Sequence, residues 1–169
     1  MALSPITPGM FDLAPDPALG KPALYAALAD AAVAVTAGEA DKVANMANIA
    51  ALIWHFLPDL NWAGFYRAAG NELVLGPFQG KPACIRIAFG SGVCGAAAAQ
   101  GKTQLVADVR RFPGHIACDA ASRSELVVPV LREGRLVAVI DLDSPLLARF
   151  DEADAAGLER LAARIAPAI

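Results

Sequence analysis

Two pairs of apolar segments, each pair joined by a very short turn, limit what this chain can become. Trp62–Arg67 and Glu72–Phe78 flank Ala68-Ala69-Gly70-Asn71, and Leu126–Leu131 and Leu136–Leu142 flank a turn at Glu133-Gly134. A parallel pair needs a crossover of a dozen or more residues, whereas a short Gly-containing turn simply reverses the chain, so both pairs are expected to be antiparallel hairpins. Two further strand signals lie between them. Ala83–Phe89 alternates and ends at Gly90-Ser91-Gly92, and Thr103–Val106 is a shorter apolar run. Asp108–Ser124 is polar and is expected to be a loop with room for one helical turn.

Helices are expected at both ends and in the middle. Pro22–Ala37 is alanine-rich. Asp41–Phe56 carries Val43, Met46, Ala47, Ala50, Ile53, Trp54 and Leu57 at three-to-four spacing, the pattern of one buried face, and Pro58 stops it. Val93–Gln100 is short and closes at Gly101, a residue suited to a left-handed cap. Asp151 opens a last helix with Leu158, Leu161 and Ile165 on one face. The order predicts an α+β fold: an antiparallel sheet with helices from both chain ends on one face and a loop-roofed pocket on the other. Residues 1–20, with prolines at 5, 8, 15 and 17, are expected to be an extended or flexible leader, and 21–169 a single domain.

Composition removes several classes of function. The apolar fraction is 56%, but much of it is alanine, and no uninterrupted run reaches the roughly 18 residues of a membrane span. The net charge is −3 and the basic residues are scattered, which argues against a nucleic-acid partner. No basic segment precedes an apolar core at the N-terminus, so a cytoplasmic protein is expected. In a reducing compartment the 3 cysteines are expected to be reactive, metal-bound or plain core residues rather than a disulfide framework.

Three groups of residues could carry chemistry. Cys84 follows Gly80-Lys81-Pro82 near the start of a predicted strand. Cys94 stands in the first turn after Ser91, a possible N-cap, and Cys118 in the loop Gly114-His115-Ile116-Ala117-Cys118-Asp119. Thiolates are favoured by helix N-termini and by positive charge. Arg110, Arg111, His115 and Arg123 therefore make Cys118 a candidate nucleophile, against the opposing charge of Asp119, and Cys94 could feel its helix. Cys94, among Gly and Ala, could equally be a small core hydrophobe, a reading that suits Cys118 less in its polar surroundings. A zinc site from the three cysteines and His115 lacks the close C-x-x-C pair that such sites usually contain. Among the acids, Asp141 and Asp143 are two apart at the end of an apolar strand and should share a face, and Glu125 opens another strand. Among the aromatics, Trp62 and Tyr66 share one face of their strand while Phe65 takes the other. Each of these groups could also be ordinary core or strand end, and His55 is read as having no catalytic role.

Taken in order, these segments resemble a known family. Asn61-Trp62-Ala63-Gly64-Phe65-Tyr66, Leu75-Gly76-Pro77-Phe78-Gln79-Gly80-Lys81-Pro82-Ala83-Cys84, Gly90-Ser91-Gly92-Val93-Cys94-Gly95, Gly114–Ser122 with Ser124-Glu125, and Asp141-Leu142-Asp143-Ser144 together look like the free methionine-(R)-sulfoxide reductases. The likeness runs over about residues 22–166. It implies a GAF fold with a six-stranded antiparallel sheet, and reduction of the R epimer of free methionine sulfoxide. It implies Cys118 as the attacking thiol, Cys84 as its disulfide partner and Cys94 in a resolving or auxiliary role. The implied binding site is Trp62, Tyr66, Glu125, Asp141 and Asp143, with Glu125 and Asp143 also serving the chemistry. No metal or organic cofactor is implied. Thioredoxin is the implied reductant, and a homodimer the implied assembly. A small zwitterion suits these residues, because its ammonium group matches carboxylates and its S-methyl group an aromatic wall. The alternative is a GAF sensor that binds a small ligand without catalysis, which would ordinarily be fused to an output domain.

Overall fold

The structure, a computed structural model, describes residues 15, 16, 18–115 and 119–169. Most of the expected leader and the expected nucleophile Cys118 therefore lie outside the described residues. The sheet consists of β1 (Trp62–Ala69), β2 (Glu72–Gly80), β3 (Arg86–Ala88), β4 (Gln104–Val106), β5 (Ser124–Arg132) and β6 (Arg135–Ser144). These six strands lie in the order β3-β2-β1-β6-β5-β4, and every neighbouring pair is antiparallel. The two hairpins stand where the turns put them. Gly70 and Gly134 adopt positive φ of 63° and 76°, which a glycine reaches without strain.

The helices are α1 (Lys21–Val35), α2 (Lys42–Phe56), α3 (Gly92–Gln100) and α4 (Glu152–Ile165), with 3-10 turns at Val109–Arg111 and Ala166–Ala168. Local chemistry sets their ends. The Asp41 side chain accepts from the Val43 and Ala44 N–H groups at 2.8 and 2.9 Å, and Asp151 forms a capping box with Asp154. Gly101 ends α3 in the left-handed conformation.

Each face of the sheet has its own apolar cluster. On one, α1, α2 and α4 cover Ala63, Phe65, Leu126, Val128, Val130, Ala138, Ile140 and Leu142. On the other, α3 packs Val93, Cys94 and Ala97 against Trp62, Tyr66, Val127 and Val139. Period-two alternation thus puts Phe65 and its neighbours Trp62 and Tyr66 in different clusters, as expected.

Two expectations need correction. The strand expected over Ala83–Phe89 pairs only at Arg86–Ala88. Pro82 offers no N–H, and residues 81–85 form a loop instead, joined back by the Leu75 N–H donating to the Ile85 carbonyl at 2.9 Å. The buried face of α2 is rotated from the expected one. Val43 and Trp54 are 52% and 39% exposed and Ala47 is exposed, whereas Asn45, Ile49, Leu52 and Phe56 are buried. Asn45 can be buried because its amide donates to the Ala168 carbonyl at 2.8 Å and the Glu39 carbonyl at 3.2 Å. One partner precedes α2 and the other comes from the last turn of the chain, and neither is visible to periodicity.

The contact between the chain-end helices depends on a small residue. A Cβ on Gly157 in α4 would stand 2.3 Å from Cγ of Tyr25 in α1. Nearby, Asp154 is buried and accepts from Lys21 Nζ at 2.6 Å and Tyr25 Oη at 3.1 Å. Tyr25 is 1% exposed and has no room to withdraw. Gly157→Ala is therefore expected to destabilise the fold by about 1–3 kcal/mol despite alanine's better helix propensity. Denaturant unfolding measures this, and a neutral or stabilising result would contradict the packing.

Candidate active site

Pairing between three adjacent strands brings the expected site residues together. Trp62 of β1 stands opposite Asp143 of β6, and Asp143 stands opposite Glu125 of β5. One step along, Gly64 stands opposite Asp141, and Asp141 opposite Val127. An aromatic, two aspartates and a glutamate thus lie next to one another on the sheet face that α3 covers. They line a pocket of about 550 Å³ of empty space, its mouth included, within the range of small-ligand sites. The rest of the lining includes Tyr66, Lys81–Ala83, Ile87, Ser91–Cys94, His115, Asp119 and Ser122.

The aromatic wall is a stack. Trp62 lies 5.7 Å from the Tyr66 ring with 24° between planes, and 5.2 Å from Phe78 with 13°. Its indole N–H donates to the Lys81 carbonyl at 3.1 Å, which fixes the ring and anchors the 81–85 loop. The stack needs Gly64, whose Cβ would stand 2.4 Å from that of Phe78. Where β1 and β2 slip register between Gly64 and Tyr66, the one extra residue falls on β2 at Gly76-Pro77, so β1 keeps its alternation.

A polar rim ties the roof loops together. Asn61 donates from Nδ2 to Ser122 Oγ at 2.9 Å and Asp119 Oδ2 at 3.2 Å. Lys81 Nζ lies 3.1 Å from Asp119 Oδ2. The Ala121 N–H, and then Lys81, hold the Asp119 carboxyl below the usual carboxylate range. Asn61, Lys81, Asp119, Ser122 and His115 are site residues that the sequence reading did not assign to the site. Their signals were membership of the family-like segments and, for His115 and Asp119, charge beside Cys118.

The acids are buried, and burial dominates their titration. Glu125 and Asp143 are pushed well above the usual carboxylate range by burial and then by the neighbouring carboxylates, Asp141 first. Asp141 is raised less, to about 7, because hydrogen bonds from Cys94 and Glu125 partly offset its burial. At neutral pH this group therefore holds protons and can act as an acid.

The cysteines sit apart in character. Cys94 is the third residue of α3, inside the N-terminal turn, but the Ser91 side chain makes no cap bond. The helix end does not activate this thiol. Burial first, and then Asp141 and Glu125, push it well above its ordinary value, and its Sγ lies 4.0 Å from Glu125 Oε1. Cys84 is half-buried in the 81–85 loop and packs against the cluster that contains Trp62. Among the described residues, Cys94, Glu125 and Asp141 bring potential metal-ligand atoms within 4.8 Å of one another. A cation there would first have to displace protons from a thiol and a carboxyl whose burial retains them.

The comparisons with known proteins meet this geometry. A GAF domain family model matches residues 43–169. A free methionine-R-sulfoxide reductase of Escherichia coli is 47% identical over 87% of this chain and 89% of its own. The chain belongs to the free methionine-(R)-sulfoxide reductase family. A free methionine-R-sulfoxide reductase from Neisseria meningitidis, solved in complex with its substrate, superposes with a TM-score of 0.85. It is 48% identical and covers 89% of this chain and 91% of that one. A Burkholderia vietnamiensis protein, described as a candidate GAF sensor, superposes equally well at 0.85. It is 56% identical and covers 88% of this chain and 94% of that one. The six-stranded antiparallel sheet, with the chain-end helices on one face, is the GAF architecture that the resemblance implied.

Proposed function

We propose that this chain reduces free L-methionine-(R)-sulfoxide to methionine through a cysteine thiolate. The observation that carries this reading is the row Trp62–Asp143–Glu125, in which an aromatic wall for a methyl group adjoins acids that retain protons for an oxygen, with Asp141 one step along to take an ammonium group. The family membership supports it, since its named members are reductases of this substrate.

In this reading the Cys118 thiolate attacks the sulfoxide sulfur as a buried carboxylic acid protonates the sulfoxide oxygen. Methionine leaves with the electron pair of its sulfur, and the oxygen remains on Cys118 as a sulfenic acid. The Cys84 thiol then attacks that sulfur, water departs, and a Cys84–Cys118 disulfide remains. Thioredoxin resets the enzyme by dithiol exchange. Cys94, whose proton burial retains, serves the acid cluster rather than the electron flow. A cytoplasmic homodimer is the accompanying proposal.

Racemic methionine sulfoxide supplied with a dithiol tests the reaction. Consumption of the R epimer alone is expected, and loss of both epimers or neither overturns it. Recognition of the whole amino acid is tested with N-acetylated substrate, which has no ammonium group for the carboxylates to hold. It should react at least about 10²-fold more slowly, since an unpaired buried polar group costs that order of discrimination. Comparable rates would remove the acids from substrate binding. The sensor reading is favoured by the description of the Burkholderia vietnamiensis structure. Replacing all three cysteines decides between the two, because a sensor keeps its ligand affinity while a reductase loses turnover.

A further inference from the structure

Polar atoms buried without a partner are uncommon, because their lost hydration goes uncompensated. Among the described residues four side-chain atoms are in this state: Asn61 Oδ1, His115 Nδ1, Arg123 Nε and Asp141 Oδ1. Of these, His115 and Asp141 line the pocket. The two atoms are of complementary kinds. An ionised Asp141 oxygen can only accept, which suits an ammonium group, whereas a ring nitrogen of neutral imidazole can carry a proton and donate.

His115 Nδ1 faces Oε2 of Glu125 at 3.9 Å, with the imidazole side chain 17% exposed. That separation is too long for a direct hydrogen bond. It matches two donors that share one ligand oxygen, since two bonds of about 2.8 Å meeting near a right angle span about 4 Å. The other oxygen of Glu125 faces Cys94 Sγ, so Oε2 is the one turned toward this gap.

We propose that His115 contacts the substrate directly: its Nδ1–H and the Glu125 carboxyl together hold the sulfoxide oxygen, while Asp141 Oδ1 receives the ammonium group. This deepens the reading above and rests on methionine sulfoxide being the substrate. Burial lowers the titration of the ring, so it remains neutral and donates as a tautomer, not as an imidazolium. As the thiolate attacks and electron density moves onto the oxygen, the proton that transfers comes from Glu125. The His115 N–H stays bonded to its nitrogen and stabilises the developing charge, as the donors of an oxyanion hole do. Of the other charges at the pocket, Lys81 and Asp119 neutralise each other at the rim, and Asp141 and Asp143 both stand on β6.

The test uses three substitutions of His115 that differ in where they place an N–H. Asparagine carries an amide nitrogen at the position of Nδ1, glutamine places it one carbon further out, and leucine has none. The measurements are kcat/KM on the R sulfoxide and, in a Cys118→Ser protein that cannot turn over, calorimetric affinity for the R sulfoxide and for methionine, which lacks the oxygen. His115→Leu and His115→Gln are expected to lower kcat/KM by about 10²-fold and to reduce the preference for sulfoxide over methionine, while His115→Asn recovers most of both. Affinity for methionine should stay within about twofold throughout, a result that loss of packing would not give. Equal losses in the asparagine and leucine variants, an equal fall in methionine affinity, or a leucine variant within about threefold of the parent overturn the proposal. If the parent protein neither reduces nor binds methionine sulfoxide, the reading of the function fails. If the parent does both and the leucine variant is unchanged, only the role of His115 fails.

Discussion

Cys118→Ser is expected to abolish methionine formation even within a single turnover, while Cys84→Ser still forms about one methionine per enzyme. A hydroxyl at neutral pH is far less nucleophilic than a thiolate, and loss of a catalytic nucleophile costs on the order of 10⁶-fold. The first oxygen transfer does not require the resolving thiol. The Cys84 variant should therefore stop at a sulfenic acid that a dimedone-type reagent traps, and its thioredoxin-driven turnover should collapse. Cys94→Ser should be the mildest of the three, because burial and the adjacent acids keep that thiol protonated. Rapid-quench measurement of methionine per enzyme separates the three cases. A normal burst in Cys118→Ser with none in Cys94→Ser would move the nucleophile to α3. Equal loss of the burst in the Cys84 and Cys118 variants would end the division of labour.

Glu125→Gln and Asp143→Asn are each expected to lower kcat/KM by about 10²–10⁴-fold, the usual contribution of a positioned acid or base. The sign of the pH dependence follows from burial. Burial raises Glu125 well above its ordinary value, so its proton is lost at a higher pH than that of a free carboxyl. The wild-type rate should accordingly fall on the alkaline side, and the glutamine variant should lose that limb. Stability follows the same linkage. A carboxyl raised in the folded state stabilises the fold below its unfolded value, and that contribution disappears as pH rises through the folded one. The amide variants should therefore melt no lower than the parent at alkaline pH, so a loss of activity cannot be assigned to unfolding. A loss below about threefold in both variants would place these acids outside the reaction.

Much of the fold was legible in local patterns. Gly70-Asn71 and Glu133-Gly134 dictated the hairpins, Asp41 and Asp151 the helix starts, and period two the division of Trp62 and Tyr66 from Phe65. The pairing of Asp141 with Asp143 on one face was also a matter of strand geometry. These features depend on neighbours within a few residues, where backbone sterics and periodicity decide. The family-like segments added the order of the cysteines and the identity of the site, which no periodicity contains.

What the sequence left undetermined depends on groups distant along the chain. The buried side of α2 was misjudged because Asn45 finds its partners at Glu39 and Ala168, so a polar residue turns inward while Val43 and Trp54 face out. For Cys94, a place in a helix N-terminal turn left activation and plain core packing both open. Only the fold sets it beside Glu125 and Asp141 in a dry pocket, where desolvation outweighs the helix end. By spacing alone Glu125, Asp143 and Trp62 are separate candidates, joined only by the resemblance, and register across β5, β6 and β1 is what makes them one row. His115 read only as a positive neighbour of Cys118 and a candidate zinc ligand. Its meaning comes from a ring nitrogen that tertiary packing buries opposite Glu125, because hydrogen-bond satisfaction and desolvation are properties of assembled space and not of spacing along a chain.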